Sequence, residues 1–426
     1  MKSTHCALVV LLSVAAARAD NWPSWRGPRG DGVSREKSIP LKWSPTENIR
    51  WKTALPERGN SSPIVWGGKV FITQALSAVG QRMLICFDRA TGRELWRKGV
   101  TIPEKEETHP TNDYAAASPV TDGERVIAFF GTAGLFCYDM EGRELWKRDL
   151  GRQTHEWGYA VSPILHGDVC VLFFGPGKRS FLTALDKKTG KTVWTAEPPP
   201  LEKRARTDGF KGQEAKGIVC TYGTPIVVQA GAREEIVMAW PQQARAYEPK
   251  TGRELWRCDG LNELVYCSPV AADGVVVAMG GFFGTSIAVR AGGSGDVTAT
   301  HRLWQHVRTV NRLGTGVIRD GRVYILNTSR AQAECIELKT GRQVWSNELK
   351  VLGGTRDSWS SMVLAGDVIL CLTQAGDTLL LRASPTFESL GVNSLGNEHT
   401  NSSTAVSDGE LFVRTHKNLW CISEKK

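Results

Sequence analysis

Cysteine and histidine positions, and one Gly-Lys-Thr tripeptide, are the first places where this chain could carry chemistry. The ten cysteines form no CxxC, no CxxCH and no adjacent pair, so zinc-ribbon, thioredoxin-like and haem c sites lack support. The eight histidines show no HExxH spacing, and no nucleophile elbow occurs. Gly190-Lys191-Thr192 imitates the end of a phosphate-binding loop, but Leu185 stands where the first glycine is required. Local motifs therefore predict no hydrolase, zinc site or nucleotide site.

The composition is that of a globular protein without a nucleic-acid surface. The 426 residues include 53 Lys and Arg against 44 Asp and Glu, a formal net charge of +9, and 41% hydrophobic residues. The basic residues are scattered and form no block that would mark a nucleic-acid or anionic-membrane surface. The densest stretch, Lys203 to Arg206, follows Pro198-Pro199-Pro200 and is predicted to be a solvated loop.

The N-terminus has the pattern of a secretory signal peptide. Lys2 is followed by an apolar stretch from Cys6 to Ala17 and by the small-x-small sequence Ala17-Arg18-Ala19. We expect residues 1–19 to be removed, leaving a soluble exported protein, periplasmic or secreted, without a membrane span. A lipoprotein would need a cysteine after the apolar stretch, whereas Cys6 begins it.

Nine cysteines remain after this cleavage, and an odd number leaves at least one thiol free. Apolar neighbours, as in Ile85-Cys86-Phe87, predict that most are buried and unpaired. The sequence leaves a Cys258–Cys267 disulfide undecided. Export permits the bridge, whereas positions on an outer and an inner strand of neighbouring blades count against it, because a bridge needs Cα atoms within roughly 7 Å.

A hairpin repeat runs through the whole chain. Each copy has a short apolar strand, a turn built on Gly or Asp, and a second apolar strand, and the copies follow one another about every 49 residues, a spacing typical of propeller blades. Eight copies begin at Ser62-Pro63, Ser118-Pro119, Ser162-Pro163, Thr224-Pro225, Ser268-Pro269, Thr315-Gly316, Ser361-Met362 and Ser403-Thr404.

A second motif lies between the copies and completes a four-stranded unit. It joins an acidic residue, a turn glycine and a closing tryptophan, and it occurs at Asp88–Trp96, Asp139–Trp146, Asp186–Trp194, Glu248–Trp256 and Glu337–Trp345. Four-stranded units at this period predict an all-β, eight-bladed propeller, a single domain over residues 20–426. The last copy is too short for four strands, so the strand at Ile49-Arg50-Trp51 is expected to complete the C-terminal blade.

These motifs resemble the quinoprotein-like (PQQ-like) propeller repeat, whose pattern is apolar-x-Ala-x-Asp-x-x-Thr-Gly-Lys-x-x-Trp. The resemblance covers nearly all of the mature chain and implies that the motif tryptophans pack between neighbouring blades. The opening from Asn21 to Gly32 resembles the start of an exported bacterial subgroup of largely unassigned activity.

The resemblance implies two functions of different classes. Some relatives are non-catalytic binding or scaffold propellers, and we favour this function here, with an unidentified protein or small-molecule partner. Others are alcohol or sugar dehydrogenases that hold pyrroloquinoline quinone (PQQ) with calcium on the axis. No carboxylate-Asn-carboxylate set can be matched here, and no adjacent cysteines are present, so the dehydrogenase remains the alternative and no catalytic or metal-binding residue is assigned.

The candidate binding residues lie in the loops that lead into the eight innermost strands, where propeller sites usually converge on the axis. These loops are rich in aromatic, amide and charged side chains, which would give a ligand apolar contact and orientation. The alternative is that these side chains cap the strands around a water-filled channel. The candidates are Asn60, Asn112, Asp113, Tyr114, His155, Trp157, Tyr222, Tyr266, Asn311, Arg312, Arg356, Asp357, Trp359, His399 and Asn401.

Overall fold

The computed structural model describes residues 20–152, 154–206, 219–281, 283–307 and 310–424. The predicted signal peptide, residues 1–19, lies outside the described residues. Within them, no helix is both long and apolar enough to cross a membrane.

The chain forms eight antiparallel blades around one axis, which confirms the architecture predicted from the repeat. The first strands of neighbouring blades contact each other, so they are the innermost strands. The fourth strands are largely exposed, as in Glu94–Thr101 of blade 1. Neighbouring blades pack face to face in shared hydrophobic clusters, so the middle strands are almost completely buried and the exposed polar side chains concentrate on the outermost strands.

The strands of each blade are given from the axis outwards. Blades 1 to 4 consist of Ile64–Trp66, Lys69–Leu76, Gln81–Asp88 and Glu94–Thr101; Val120–Thr121, Arg125–Phe129, Leu135–Asp139 and Glu144–Arg148; Ile164–His166, Val169–Phe174, Phe181–Asp186 and Thr192–Ala196; and Ile226–Ala230, Arg233–Trp240, Gln243–Tyr247 and Glu254–Asp259. Blades 5 to 8 consist of Val270–Ala272, Val275–Met279, Ser286–Arg290 and Arg302–His306; Val317–Arg319, Arg322–Leu326, Gln332–Glu337 and Gln343–Glu348; Val363–Ala365, Val368–Leu372, Asp377–Arg382 and Ser389–Ser394; and Ala405–Ser407, Glu410–Arg414, Asn418–Ile422 and Ile49–Ala54.

Only short elements lie outside this scheme in the described chain. Val33–Ser34 and Gly295–Asp296 extend blades 7 and 4, and Cys220–Thr221 pairs with Leu264–Val265. The helical elements are the 3₁₀ turns Ser77–Val79 and Gly131–Ala133 and the helix Thr298–His301.

The ring closes as predicted, because an N-terminal strand completes the C-terminal blade. Ile49–Ala54 pairs antiparallel with Asn418–Ile422, with Trp51 opposite Cys421. The last blade therefore depends on both ends of the propeller domain.

A ring of eight hydrogen bonds joins all the blades at the axis. The first residue of each repeat, Ser or Thr, donates its backbone N–H to the side-chain hydroxyl oxygen of the same residue in the next blade, over 2.8 to 3.1 Å. The last bond, from Ser403 to Ser62, joins blade 8 to blade 1 at 2.8 Å. The repeated Ser or Thr thus has a structural reason, since it satisfies a buried N–H of its neighbour.

The motif tryptophans pack between blades, as the resemblance implied. Trp96 donates its indole N–H to the carbonyl of Met140 in the turn of the next blade, and Trp146 and Trp194 make the equivalent bonds. Trp345 bonds the Ser384 carbonyl of blade 7 in the same way. Trp256 is the exception and donates to the Glu235 carboxylate of its own blade at 2.8 Å. Trp51 also docks in this way, although it lies outside the five motif copies.

The N-terminal segment, residues 21–34, crosses the axis on the face where the innermost strands end; we call it the strap. Trp22 pairs with Val65 of blade 1. The buried Arg26 guanidinium donates to the carbonyls of Gly316 and Met362, in blades 6 and 7, at 2.6 Å each. A Cβ on Gly32 would lie 2.2 Å from this guanidinium. The strap sequence therefore closes one end of the axial channel.

All nine described cysteines are buried and unpaired, as predicted for most of them. The Cys258–Cys267 bridge does not form. Cys258 packs in the core around blade 4, whereas the Cys267 thiol lies in another cluster and donates to the carbonyl of Gly314 at 3.4 Å.

Candidate functional site

A cavity of about 410 Å³ lies on the axis between the strap and the loops that lead into the innermost strands; we call it the axial cavity. Trp25 of the strap lines it, so the cavity is closed at the strap end. Its volume falls within the ~300–1,000 Å³ range of small-molecule sites. Its other lining residues are Asn60, Ser62, His109, Thr111, Asn112, Ala116, Ser118, Trp157, Ala160, Ser162, Tyr222, Tyr266, Leu313, Trp359, Ser361, Asn401 and Ser403.

Aromatic rings from blades 3, 4 and 5 form one wall of the axial cavity. The rings of Trp157, Tyr222 and Tyr266 have centroids 5.9 to 6.5 Å apart and planes within about 32° of each other. Trp359 adds a fourth ring from the loop before blade 7. Such near-parallel faces offer apolar contact to a flat ligand.

His155 lies behind this wall and contacts two of its residues, Trp157 and Tyr222. Its Nδ1 accepts the backbone N–H of Trp157 at 3.2 Å and lies 3.1 Å from the Tyr222 hydroxyl. Burial lowers the pKa of His155, so the ring is neutral at neutral pH. The Tyr222 hydroxyl thus lies within hydrogen-bond distance of the ring, and the tautomer of His155 sets which of the two groups donates. Burial also raises the pKa of Tyr222, so the hydroxyl stays protonated.

The deeper wall carries hydroxyl groups from the eight-membered ring. Ser62, Ser118, Ser162, Ser361 and Ser403 line the axial cavity. Each oxygen already accepts a backbone N–H of the preceding blade, for example that of Ser62 on Ser118 at 2.8 Å. Among the described residues, no protein acceptor takes the proton of these five hydroxyls, so each can donate into the cavity.

The rim amides hold the loops together. Asn112 donates to the carbonyls of Trp157 and Tyr159. Asn60 donates to the carbonyl of Thr111 and accepts from His416 Nε2 at 3.2 Å. Asn401 accepts from Gln374 at 2.6 Å and reaches Asn60 at 3.4 Å. These three amides position the aromatic wall and the mouth of the axial cavity.

The structure brings seven of the fifteen predicted site residues to the axial cavity and places His155 directly behind its wall. The seven are Asn60, Asn112, Trp157, Tyr222, Tyr266, Trp359 and Asn401.

The other predicted residues lie outside the lining. Arg312 is buried and ion-paired with Glu334 at 2.6 Å, and Asn311 accepts the backbone N–H of Phe283. Arg356 is exposed and lies 3.7 Å from Glu348.

The remaining four predicted residues also lie outside the lining of the axial cavity. The Asp357 carbonyl accepts the backbone N–H of Gln374, and the His399 ring lies 4.5 Å from that of His416, tilted by 50°. Asp113 is buried and caps the backbone N–H of Ala115 at 2.7 Å. Tyr114 donates to the carbonyl of Glu106, beneath the Arg82 guanidinium.

Sequence reasoning missed the strap and hydroxyl contributions to the site. Trp25 lies far from every lead-in loop in the chain, and only its place in the Asn21 to Gly32 motif drew attention to it. The serines were found as repeat markers, and their even spacing around the axis was the signal that could have identified them as lining. His109 and Thr111, which bond each other at 2.7 Å, sit beside the predicted Asn112.

The family comparison matches the whole propeller. The matching family is described as outer membrane protein assembly factor BamB, with matches over residues 41–156, 81–347 and 178–426. The chain belongs to this PQQ-like propeller family. No curated protein matches the chain in sequence.

Solved structures with the fold of this PQQ-like propeller come from proteins of different function. BamB from Moraxella catarrhalis aligns with a TM-score of 0.60 and 13% identity, over 89% of this chain and 97% of that one. A europium-containing methanol dehydrogenase aligns with a TM-score of 0.64 and 12% identity, over 94% of this chain and 90% of that one. Quinohemoprotein alcohol dehydrogenase from Comamonas testosteroni aligns with a TM-score of 0.63 and 12% identity, over 97% of this chain and 82% of that one. At these identities the likeness shows the fold alone.

The described residues of this PQQ-like propeller do not fit PQQ with calcium. PQQ carries several carboxylates, which need cationic partners, and calcium needs carboxylate or carbonyl oxygens. The described lining of the axial cavity contains no Lys, Arg, Asp or Glu. No group of three His, Cys, Asp or Glu side chains in the described chain could hold a metal ion.

Proposed function

We propose that this PQQ-like propeller is a non-catalytic binding protein that captures a small uncharged ligand in its axial cavity. The observation that carries the proposal is a cavity closed by Trp25, walled by four further aromatic rings and lined, among the described residues, by no charged side chain. An apolar cavity with a few oriented polar groups is the usual form of a small-molecule site.

The lining of the axial cavity supports the alternative function, a PQQ-dependent dehydrogenase, less well. Electron transfer through an anionic quinone would require cations to hold it, and the described wall offers aromatic faces and neutral hydroxyls instead. Stoichiometric binding of PQQ with calcium, followed by dye-linked oxidation of an alcohol or sugar, would overturn the binding proposal.

The proposal is tested by filling the axial cavity without removing a hydrogen bond. Ala160 is half-exposed and lines the cavity, so Ala160→Trp should occupy the space beside the aromatic wall. A library of neutral one-ring and two-ring compounds is screened by ligand-observed NMR against both proteins. We expect compounds that bind the wild type and lose binding in Ala160→Trp. If no compound distinguishes the two folded proteins, the axial cavity is not a small-molecule site.

The proposal includes export, with cleavage before Asp20. Expression of the full chain in a bacterial host, followed by N-terminal sequencing of the periplasmic or secreted protein, should give Asp20 as the first residue. Retention of residues 1–19 in the cytoplasmic fraction alone would contradict this part.

A further inference from the structure

A groove of about 740 Å³ lies at the outer rim of the ring, between blades 2 and 3; we call it the rim groove. The end of the strand Glu144–Arg148 and the turn after it form one side. The two outer strands of blade 3, with the hairpin that leads into Phe181–Asp186, form the other. In the described chain, the rim groove shares no lining residue with the axial cavity, so it is a separate place for a ligand.

Three exposed cationic side chains line the rim groove: Arg148 of blade 2, and Lys178 and Arg179 of the blade 3 hairpin. The Arg148 guanidinium donates to the hydroxyl of Thr192 in blade 3 at 3.1 Å. Among the described residues, neither Arg148 nor Lys178 has a carboxylate within ion-pair distance. These two charges can therefore pair with an anion from solution.

The third cation is placed by a glycine of blade 2. Gly151 has a φ of 87°, and a Cβ there would lie 2.8 Å from Nη1 of Arg179. The backbone N–H of Gly151 donates to Oδ1 of Asp149 at 2.7 Å, which fixes the turn. The turn that leaves blade 2 thus packs against the Arg179 guanidinium at the edge of the rim groove.

The rest of the lining suits hydroxyl groups better than further anions. Asp149 and Glu197 supply carboxylate oxygens, and Thr192 and Thr195 supply hydroxyls. A carboxylate accepts hydrogen bonds from hydroxyl groups, and a threonine hydroxyl can donate or accept. The half-buried ring of Phe181 adds an apolar surface. The rim groove can therefore pair with anionic groups and hydroxyls of one ligand.

A second rim cavity, of about 410 Å³ between blades 1 and 2, has no such excess of positive charge. Lys98 and Arg143 line it together with Glu141 and Glu144. Arg143 is also ion-paired with Asp139 at 2.6 Å. The unpaired cations are therefore a property of the rim groove and not of the repeat.

We infer that the rim groove binds an anionic oligosaccharide, a short sugar chain that carries carboxylate or sulfate groups. Arg148, Lys178 and Arg179 would contact the anionic groups, since a guanidinium offers two parallel N–H donors to a planar oxyanion. The carboxylates and threonines of the lining would pair with the sugar hydroxyls. This inference does not depend on the ligand of the axial cavity.

A nucleic acid fits the rim groove less well. Each nucleotide carries a phosphate, and the carboxylates of Asp149 and Glu197 would repel a chain charged at every residue. Single strands also bind by stacking bases on several aromatic faces, whereas Phe181 is the one ring in the described lining of this groove. The lining therefore favours a sugar chain.

Matched sugar probes test the inference. Trigalacturonate carries a carboxylate on each sugar, galactotriose is its neutral counterpart, and a carrageenan oligosaccharide carries sulfate instead. Dissociation constants are measured by isothermal titration calorimetry at low and at physiological ionic strength. We expect trigalacturonate to bind about tenfold more tightly than galactotriose at low ionic strength, and this preference to shrink as salt is added.

Variants then locate the binding. Arg148→Gln and Lys178→Gln each remove one charge from the rim groove and should each weaken trigalacturonate binding roughly fivefold. Lys98→Gln makes the same change in the cavity between blades 1 and 2 and should have no effect. Ala160→Trp fills the axial cavity and should bind trigalacturonate as the wild type does. Failure of the proposed function and failure of this inference are therefore separate results.

Selective binding of trigalacturonate or of the carrageenan sugar supports the inference and identifies the anionic group. Equal affinity for trigalacturonate and galactotriose, or no binding of either anionic probe, would overturn it. Tighter binding of an oligothymidylate of matched charge would assign the rim groove to nucleic acid instead. Binding that Arg148→Gln and Lys178→Gln leave unchanged, or that Lys98→Gln weakens to the same extent, would also contradict the inference.

Discussion

Two histidines at the mouth of the axial cavity link its geometry to pH. The rings of His399 and His416 are 4.5 Å apart, and His416 donates to Asn60, which lines the cavity. Burial, the neighbouring His399 and the Arg414 and Arg58 guanidinium groups lower the pKa of His416 to about 4. Burial also lowers the pKa of His399, so both rings are neutral at neutral pH.

Replacing His416 by Gln should make the protein less sensitive to acid. The unfolded chain protonates this histidine near 6.5 and the folded chain only near 4, so its contribution to stability is lost as the pH falls through that window. Because the ring is partly exposed, we expect the wild type to lose only about 1 kcal/mol more unfolding free energy than His416→Gln between pH 7 and pH 4. Urea unfolding at both pH values measures this difference, and equal losses would contradict the prediction.

At the element scale, the outer turn of one blade is shaped by the tryptophan of the previous blade. Gly142 adopts a φ of 84°, and a Cβ there would lie 2.8 Å from the Trp96 ring. Gly92 and Gly190 meet Trp51 and Trp146 in the same way. The motif glycine therefore does two things: it permits the left-handed conformation, and it leaves room for a neighbouring indole.

Gly142→Ala should lower the unfolding free energy more than a glycine substitution that introduces backbone strain alone. Gly231 also has a positive φ, 62°, but no atom lies within 4 Å of a Cβ built there. We expect Gly231→Ala to lower the unfolding free energy by about 1 kcal/mol and Gly142→Ala by about 3 kcal/mol, because the latter also displaces Trp96. Denaturant unfolding of the two variants provides the comparison. Costs that agree within error would mean that the indole contact adds nothing.

At the scale of the whole molecule, the hydroxyl ring, the closing strand and the strap hold eight blades as one unit. Each blade contributes one Ser or Thr to the ring, so the loss of one hydroxyl affects the junction of two blades. Arg26 adds a second tie across the axis, through carbonyls of blades 6 and 7. Burial without a bonded carboxylate lowers the pKa of Arg26 to about 10, which still leaves it charged at neutral pH.

Removing one ring hydroxyl should destabilise the propeller, whereas exchanging it for another should not. Ser268 accepts the backbone N–H of Thr224 at 2.8 Å and lies outside the cavity lining. Ser268→Ala leaves that buried N–H unpaired and should cost about 1–3 kcal/mol. Ser268→Thr keeps the hydroxyl, as Thr224 and Thr315 do natively, and should cost less than about 1 kcal/mol. Thermal and urea unfolding of both variants test the ring, and equal destabilisation would argue against it.

Much of the architecture could be predicted from the sequence, because each blade repeats one local pattern. Hairpin turns, strand alternation and the Asp-x-x-Thr-Gly turn depend on residues close in the chain. Eight copies of the hairpin specify how many blades must close. The short last copy and the lone strand at Ile49 to Trp51 were enough to predict ring closure. The positions of these features in the chain could be predicted without knowing any long-range contact.

Only the tertiary structure decided which side chains meet at the axis. Loops of similar composition received opposite roles: Trp157 and Tyr222 face the axial cavity, whereas Arg312 is drawn into the core by Glu334, twenty-two residues away. Trp25 reaches the cavity because Arg26 anchors the strap to blades 6 and 7, about three hundred residues further along the chain. Whether a side chain reaches the axial cavity thus depends on partners distant in sequence. A charged group or hydrogen-bond donor can be buried only where such a partner pairs with it. The repeat therefore determines the ring, and long-range pairing determines the site inside it.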